Sequence, residues 1–263
     1  MTARADSELD AIGLSMSAGP SRLREAGICV SFFRDRIVIA ISLPWLLPWM
    51  GCERSLNVKP KVSFESTQVG DTVKLPKPES RGPLSLEEAL ARRRSQRTFA
   101  GEPLTAEMLS QLLWASSGIT HQDGYRTAPS AGALYPLEIY LASASGFYRY
   151  ESRGHQLVMR LERDLRREIC RAALDQEALI EVPAVFLVAA VYERTAATYG
   201  RARAERYVHL EAGHAAQNLL LQAVSLDLGA VPIGAFDDER LHRALGLPPD
   251  HRPVYLVPVG HPR

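Results

Sequence analysis

The chain has 263 residues, a formal net charge of +1 and 46% hydrophobic residues, which suits one domain with an extension and a sizeable core. So even a charge balance argues against a protein that coats nucleic acid or membrane. Three scattered cysteines (Cys29, Cys52, Cys170) and seven histidines match neither a disulfide framework nor a metal site.

The N-terminal third reads differently from the rest. Residues 1–36 are polar with weak periodicity, and Ile37 to Cys52 is an uncharged apolar run behind Arg34 and Arg36. Pro44 and Pro48 make it a poor transmembrane helix, but it has the layout of a signal-peptide core. Its Gly51-Cys52 ending is similar to a bacterial lipobox, in which an acylated Cys52 would tether an exported protein to the membrane; Trp49 stands where leucine is usual. The alternative is a cytoplasmic protein whose greasy arm packs on the domain. Residues 53 to 83, rich in Pro, Ser, Lys and Gly, read as a tether. The expected division is a largely irregular signal-like and tether region over 1–83 and a globular domain over 84–263.

The domain opens on a capping box, Ser85 with Glu88, and a helix with Leu86, Ala89 and Leu90 on one face, running to about Arg94. Arg92, Arg93, Arg94 and Arg97 crowd its end. Cations in a last helical turn complement the macrodipole by roughly 0.3–1 kcal/mol each. That explains Arg92 to Arg94 but not Ser95 and Arg97, which lie past the helix. Several guanidinium forks and a hydroxyl together suit a phosphate. Thr105 caps a second helix whose stripe is Met108, Leu109, Leu112 and Leu113, with Gly118 as its stop. Pro129, Ser130, Ala131 and Gly132 lie in a small-residue turn before the strand Leu137–Ala142, and such a turn lets a backbone approach a flat ligand closely. A hairpin follows, "GFYRYES" with "HQLVMRLE", then a helix over "DLRREICRAALDQEAL" and a doubly buried central strand in "PAVFLVAAVY". Glu205 to Leu228 reads as a buried helix of about six turns, with Gly229 as its stop. A short strand and turn, a helix capped by Asp237 or Asp238, and a last strand, "RPVYLVPVGHP", complete the chain. The fold class is α+β, with a mostly antiparallel sheet flanked by helices. Neither a P-loop nor a dinucleotide fingerprint is present.

In this order and spacing, "RRRSQRTF", "PSAGALYPLEIY", "EAGHAAQNLLLQA" and "LGAVPIGAF" resemble the FMN-dependent nitroreductase superfamily, closest to its SagB-type dehydrogenase branch, which includes azoline oxidases. The resemblance covers residues 84–260. It implies a homodimer with FMN at the subunit interface and NAD(P)H as a candidate electron donor. Arg93, Arg94 and Ser95 would take the phosphate, and Arg97 the pyrimidine side of the ring. Pro129, Ser130, Ala131 and Gly132 would lie along the flavin, with Ile233, Gly234 and Ala235 near its N5 edge. Family chains often end in Gly-Arg-Pro; here His261 takes that arginine's place and Arg263 is the substitute. The Lys-Tyr pair of azoline oxidases maps to Arg206 and Tyr207. Arginine is no base at neutral pH, so Arg206 would orient an anionic substrate and Tyr207 would relay a proton. The resemblance thus implies ping-pong hydride transfer involving a small aromatic, quinone or heterocyclic substrate. The Arg206 change and the altered tail leave a second reading open, a non-catalytic flavin-binding or scaffold subunit of a peptide-modifying complex.

Overall fold

The computed structural model describes residues 70–263; the expectations for residues 1–69, the run Ile37 to Cys52 among them, lie outside the described residues. The strands are β1 (Thr72–Lys74), β2 (Phe99–Ala100), β3 (Leu137–Ser143), β4 (Gly146–Glu151), β5 (Gln156–Leu161), β6 (Ala184–Ala190), β7 (Gly229–Ala230) and β8 (Arg252–Pro262). They form one sheet in the order β1-β5-β4-β3-β6-β8-β2, with β7 also paired to β8, and all these pairings are antiparallel. The helices are α1 (Leu86–Arg92), α2 (Ala106–Ser117), α3 (Arg166–Ala172), α4 (Tyr192–Tyr199), α5 (Arg201–Ser225) and α6 (Asp238–Leu245).

The sheet is covered on both faces, and the alternation along its strands shows how. Ile139, Leu141, Phe186 and Val188 turn to the side of α2 and α5, where Leu112, Leu113, Ala212 and Leu219 pack on them. Tyr140, Ala142, Val185 and Leu187 turn the other way, toward Ile169 of α3 and Leu241 of α6. Every residue of β6 is buried, as its unbroken apolar run requires. Fully buried leucines such as Leu112 and Leu113 each contribute roughly 1.5–3 kcal/mol.

Several elements differ from the sequence expectation. Residues 72–74 form the edge strand β1 on β5, and Pro76 accepts hydrogen bonds from Ser110 and His155, so this stretch of the expected tether is docked on the domain. α1 ends at Arg92 and buries only Ala89; Leu86 and Leu90 are 61% and 52% exposed. The expected single helix over residues 164–179 breaks after Ala172, where Leu174 and Asp175 take positive φ and a short 3-10 turn, Glu177–Leu179, follows. The long helix begins at Arg201, and α4 stands before it across Gly200, whose φ of 76° turns the chain. Asp227, not Gly229, takes the left-handed position after α5, which leaves Gly229 free to enter β7.

Candidate functional site

α1 delivers the arginine cluster to one end of the sheet. Ser85 caps the helix by accepting from the Glu88 N–H, and Arg93 closes it by donating its backbone N–H to Ala89. Arg92 pairs with Glu88. The Arg94 guanidinium bonds the carbonyls of Ala91 and Arg93 at 2.8 and 2.7 Å, so it caps the helix as the dipole argument expects. Ser95 bridges to Ala230 of β7, and the Gln96 N–H bonds the Ala230 carbonyl at 3.1 Å. This backbone clamp places Arg93 to Arg97 beside the segment that leads to Ile233, Gly234 and Ala235. A groove of about 400 Å³ runs here, lined by Arg92, Arg94, Gln96, Asp227, Gly229 and Pro262. Among the described residues no carboxylate pairs with Arg93, Arg94 or Arg97.

Ile233 is buried and bridges Leu256, while Gly234 and Ala235 are exposed. A Cβ on Gly234 would come no nearer than 3.9 Å to its neighbour, the Tyr255 ring, so the slot beside it is open. Gln176 holds this turn, donating to the Ala235 carbonyl at 2.8 Å and to Ala173 at 2.9 Å. His261 lies opposite Ala100 on β2, and the Arg263 guanidinium is taken by Glu181 at 2.7 Å.

Pro129 to Gly132 lie elsewhere. Leu137, five residues after Gly132, pairs with Ala190, which pairs with Arg252; Ser143, at the opposite end of β3, pairs with Ala184, which leads through Val259 to Ala230 and so to Ser95. Six residues of strand separate the two ends, roughly 20 Å. α5 measures the same distance. Glu211 lies beside Ser130, Asn218 donates to the Thr127 carbonyl, and Val224 lines the arginine groove. Thirteen residues of helix from Glu211 to Val224 span roughly 20 Å. One protomer therefore unites Arg93, Arg94, Ser95 and Arg97 with Ile233 to Ala235, but does not bring Pro129 to Gly132 to them.

The second end has its own construction. Gly132 has φ 62°, and a Cβ built there would lie 2.9 Å from the Tyr199 hydroxyl. The Tyr199 ring meets Tyr207 edge-on at 5.1 Å, so Tyr207 belongs to this end, while Arg206 is exposed on α5. The Ser130 hydroxyl accepts from the Tyr135 N–H at 2.9 Å. Glu211 is buried at 5% exposure. Burial raises its carboxyl from 4.5 to about 7 against the opposing effects of Ser130 and Arg126. The sequence reading assigned no role to Glu211, Tyr199 or Gln176. Glu211 carried one signal, an acid on the helix stripe of Val208, Ala212 and Ala215.

A cavity of about 950 Å³ lies apart, lined by Tyr192, Glu193, Arg201, His209, Asp238 and His242 among others, and by none of the expected site residues.

The Nitroreductase family model matches residues 90–261. A protein of Methanocaldococcus jannaschii named "putative nitroreductase" is 41% identical over 198 residues, 73% of this chain and 98% of that protein. The chain belongs to the nitroreductase family. Its fold is nitroreductase-like. The crystal structure of a "putative nitroreductase" from Ralstonia eutropha matches with a TM-score of 0.66 and 28% identity, covering 73% of this chain and 90% of that one. The NADPH:FMN oxidoreductase of Vibrio harveyi, at 22% identity and a TM-score of 0.51 over 67% of this chain and 68% of that one, shares the fold. Family membership makes the chain an oxidoreductase. Arg93, Arg94 and Arg97, without carboxylate partners among the described residues, fit the anionic end of a nucleotide-like cofactor, and the open space beside Gly234 leaves room for a flat one.

Proposed function

We propose that the chain is an FMN-dependent oxidoreductase of the SagB-type dehydrogenase branch that works as a homodimer with two shared sites. The observation that carries this is the split: Arg93, Arg94 and Arg97, which have no carboxylate partner among the described residues, and the Gly234 turn at one end of the sheet, the Pro129–Gly132 segment at the other. Each end is half of a cofactor site, and a second copy of the chain supplies the missing half. The exposed Leu86 and Leu90 on α1 and Leu210 on α5 give such a dimer apolar surface to bury.

Arg93, Arg94 and Ser95 would hold the phosphate of FMN and Arg97 its pyrimidine edge, while Ile233 to Ala235 and the partner copy's 129–132 segment flank the ring. Arg94 reaches the phosphate by exchanging its carbonyl contacts for stronger charge-assisted bonds. Bound FMN would supply hydride transfer between two reactants that visit the site in turn, with NAD(P)H as the proposed donor. The chain supplies the rest. The Gln176 amide fixes the Ala235 carbonyl and so the backbone facing the reactive edge. Gly234 keeps the slot open for a flat aromatic, quinone or heterocyclic substrate. Tyr207, set by Tyr199 beside Gly132, is placed to pass a proton, and Arg206 to attract an anionic substrate. The docked stretch at residues 72–76 would join the domain to a membrane tether at Cys52; Cys52→Ser should then release the protein from the membrane fraction.

The purified full chain should be yellow, bleach with NADPH or dithionite, and recover with a quinone. A second reading, a non-catalytic subunit, draws on Arg263 being engaged by Glu181 instead of standing free for a phosphate. A colourless protein that refuses added FMN would favour a scaffold without cofactor. A yellow one that bleaches with dithionite but shows no turnover would favour a flavin-binding subunit.

A further inference from the structure

The ladder between β3 and β4 stops short of both strands. Its pairs run from Ser143 with Gly146 to Tyr140 with Arg149, yet β3 begins at Leu137 and β4 continues to Glu151. Where the strands part lies a cavity of about 230 Å³, lined by the two strand ends, by Ser117 and by Arg126. Ser117 closes α2 at 4% exposure, and a bridge between Ile119 and Arg126 brings Arg126 back beside it.

The side chains around this gap hold more donors than free acceptors. Arg149 Nε is buried and has no hydrogen-bond partner among the described residues. Arg149 Nη1 stands 3.7 Å from Glu138 Oε2, too far for a hydrogen bond. Arg126 donates to the Ser117 hydroxyl at 2.9 Å and lies over the Tyr135 ring, with no carboxylate within 4 Å among the described residues. Ser117 accepts that bond and keeps its own proton to give. The carboxylates are engaged: Glu138 Oε1 takes Arg194 Nη2 at 2.5 Å, and Glu151 takes the N–H groups of Arg153 and Gly154 at 2.9 and 2.6 Å. With Arg194 counted, the group carries one more guanidinium than carboxylates. A buried donor without an acceptor is destabilising, and guanidinium forks match the paired oxygens of a carboxylate or phosphate.

We propose that the gap between β3 and β4 is a binding site for a small oxyanion, held by Arg126 and Arg149 with the Ser117 hydroxyl as a further donor. Its volume is that of roughly eight waters at about 30 Å³ each, which admits a phosphate or a short carboxylate but not a nucleotide. None of its residues is assigned to the cofactor above, so the site stands independently of FMN. The ion would tie β4 to the loop that carries Pro129–Gly132, because Tyr135 accepts from the Arg126 N–H at 3.3 Å and donates its own N–H to Ser130 at 2.9 Å.

Calorimetry on the full chain tests this, with inorganic phosphate and acetate as probes in chloride buffer at constant ionic strength. The arginines that follow α1 also attract phosphate, so the titrations use Arg93→Ala/Arg97→Ala chains. At least one probe should bind and raise the thermal midpoint. Binding of phosphate alone identifies a phosphate-type ion, and binding of acetate extends the site to carboxylates. Arg149→Gln in the same background should weaken binding roughly tenfold or more, the size of a charge-assisted bond. Ser117→Ala should weaken it a few fold, roughly one neutral hydrogen bond; it removes no charge and gives the reading should Arg149→Gln fail to fold. No binding and no midpoint shift with either probe overturns the proposal, and the gap then holds water only. Binding that both Arg149→Gln and Ser117→Ala leave unchanged puts the ion elsewhere and overturns it too.

Discussion

At the Ser95 end of the sheet the candidate site is made of charge on a clamped backbone: α1 stops at Arg92, Ser95 and Gln96 are tied to Ala230, and Arg93, Arg94 and Arg97 have no carboxylate partner among the described residues. At the Gly132 end it is made of close approach and a buried acid: a left-handed glycine under Tyr199, and Ser130 backed by Glu211. The first end suits an anion, which needs positive charge and little shape. The second suits a flat neutral ring, which needs a near backbone. Roughly 20 Å of α5 joins them, and on the proposed reading a ligand that needs both takes them from two copies of the chain.

This contrast can be broken at either end. The largest effect is expected from removing charge at the first: Arg93→Ala with Arg97→Ala should weaken FMN binding on the order of a hundredfold, since each charge-assisted bond is worth roughly 1.5–3 kcal/mol. Salt should weaken the wild type more than the double variant, which keeps only Arg94 of the three. An unchanged titration would remove the phosphate from this end.

The buried acid comes next, and its sign is set by linkage. A carboxyl raised from 4.5 to about 7 holds its proton in the folded chain after the unfolded chain has released it. Stability is therefore undiminished below the lower value, falls as pH rises between the two, and is level above the higher. The cost at alkaline pH is on the order of 3 kcal/mol. Glu211→Gln should remove it, so that denaturant midpoints of variant and wild type diverge as pH rises toward about 7. Parallel curves would show that Glu211 is solvated. A third test acts on shape. Gly132→Val places a branched side chain at φ 62° against Tyr199, which should cost roughly 1–3 kcal/mol and weaken FMN binding without changing its salt dependence. The smallest effect belongs to the tail: Glu181→Gln frees Arg263 from an exposed pair and should alter stability by less than about 1 kcal/mol. A rise in FMN affinity on the same change would bring Arg263 back to the phosphate.

The sequence displayed the chemistry more clearly than the distances. The doubly buried β6, the N-caps of α1 and α2 and the long α5 follow from local patterns, and so does the arginine cluster. Where α5 begins did not follow, because only the backbone shows Gly200 turning the chain between two helices. β1 and β2 were hidden because three- and two-residue edge strands have no period to read. Glu211 was overlooked because its meaning comes from burial against Ser130, a contact between residues 81 positions apart. The separation of Pro129–Gly132 from Arg93–Arg97 depends on the register of β3, β6 and β8, which no local pattern encodes.

Mixing two damaged copies tests the shared site most directly. Arg93→Ala/Arg97→Ala chains, defective at one end, are unfolded and refolded together with Gly132→Val chains, defective at the other. Random pairing makes about half the dimers mixed, each with one intact site of two, so the mixture should recover about a quarter of wild-type FMN binding and turnover while neither variant alone has it. Recovery no greater than the sum of the separate variants would contradict a site built from both ends of two chains.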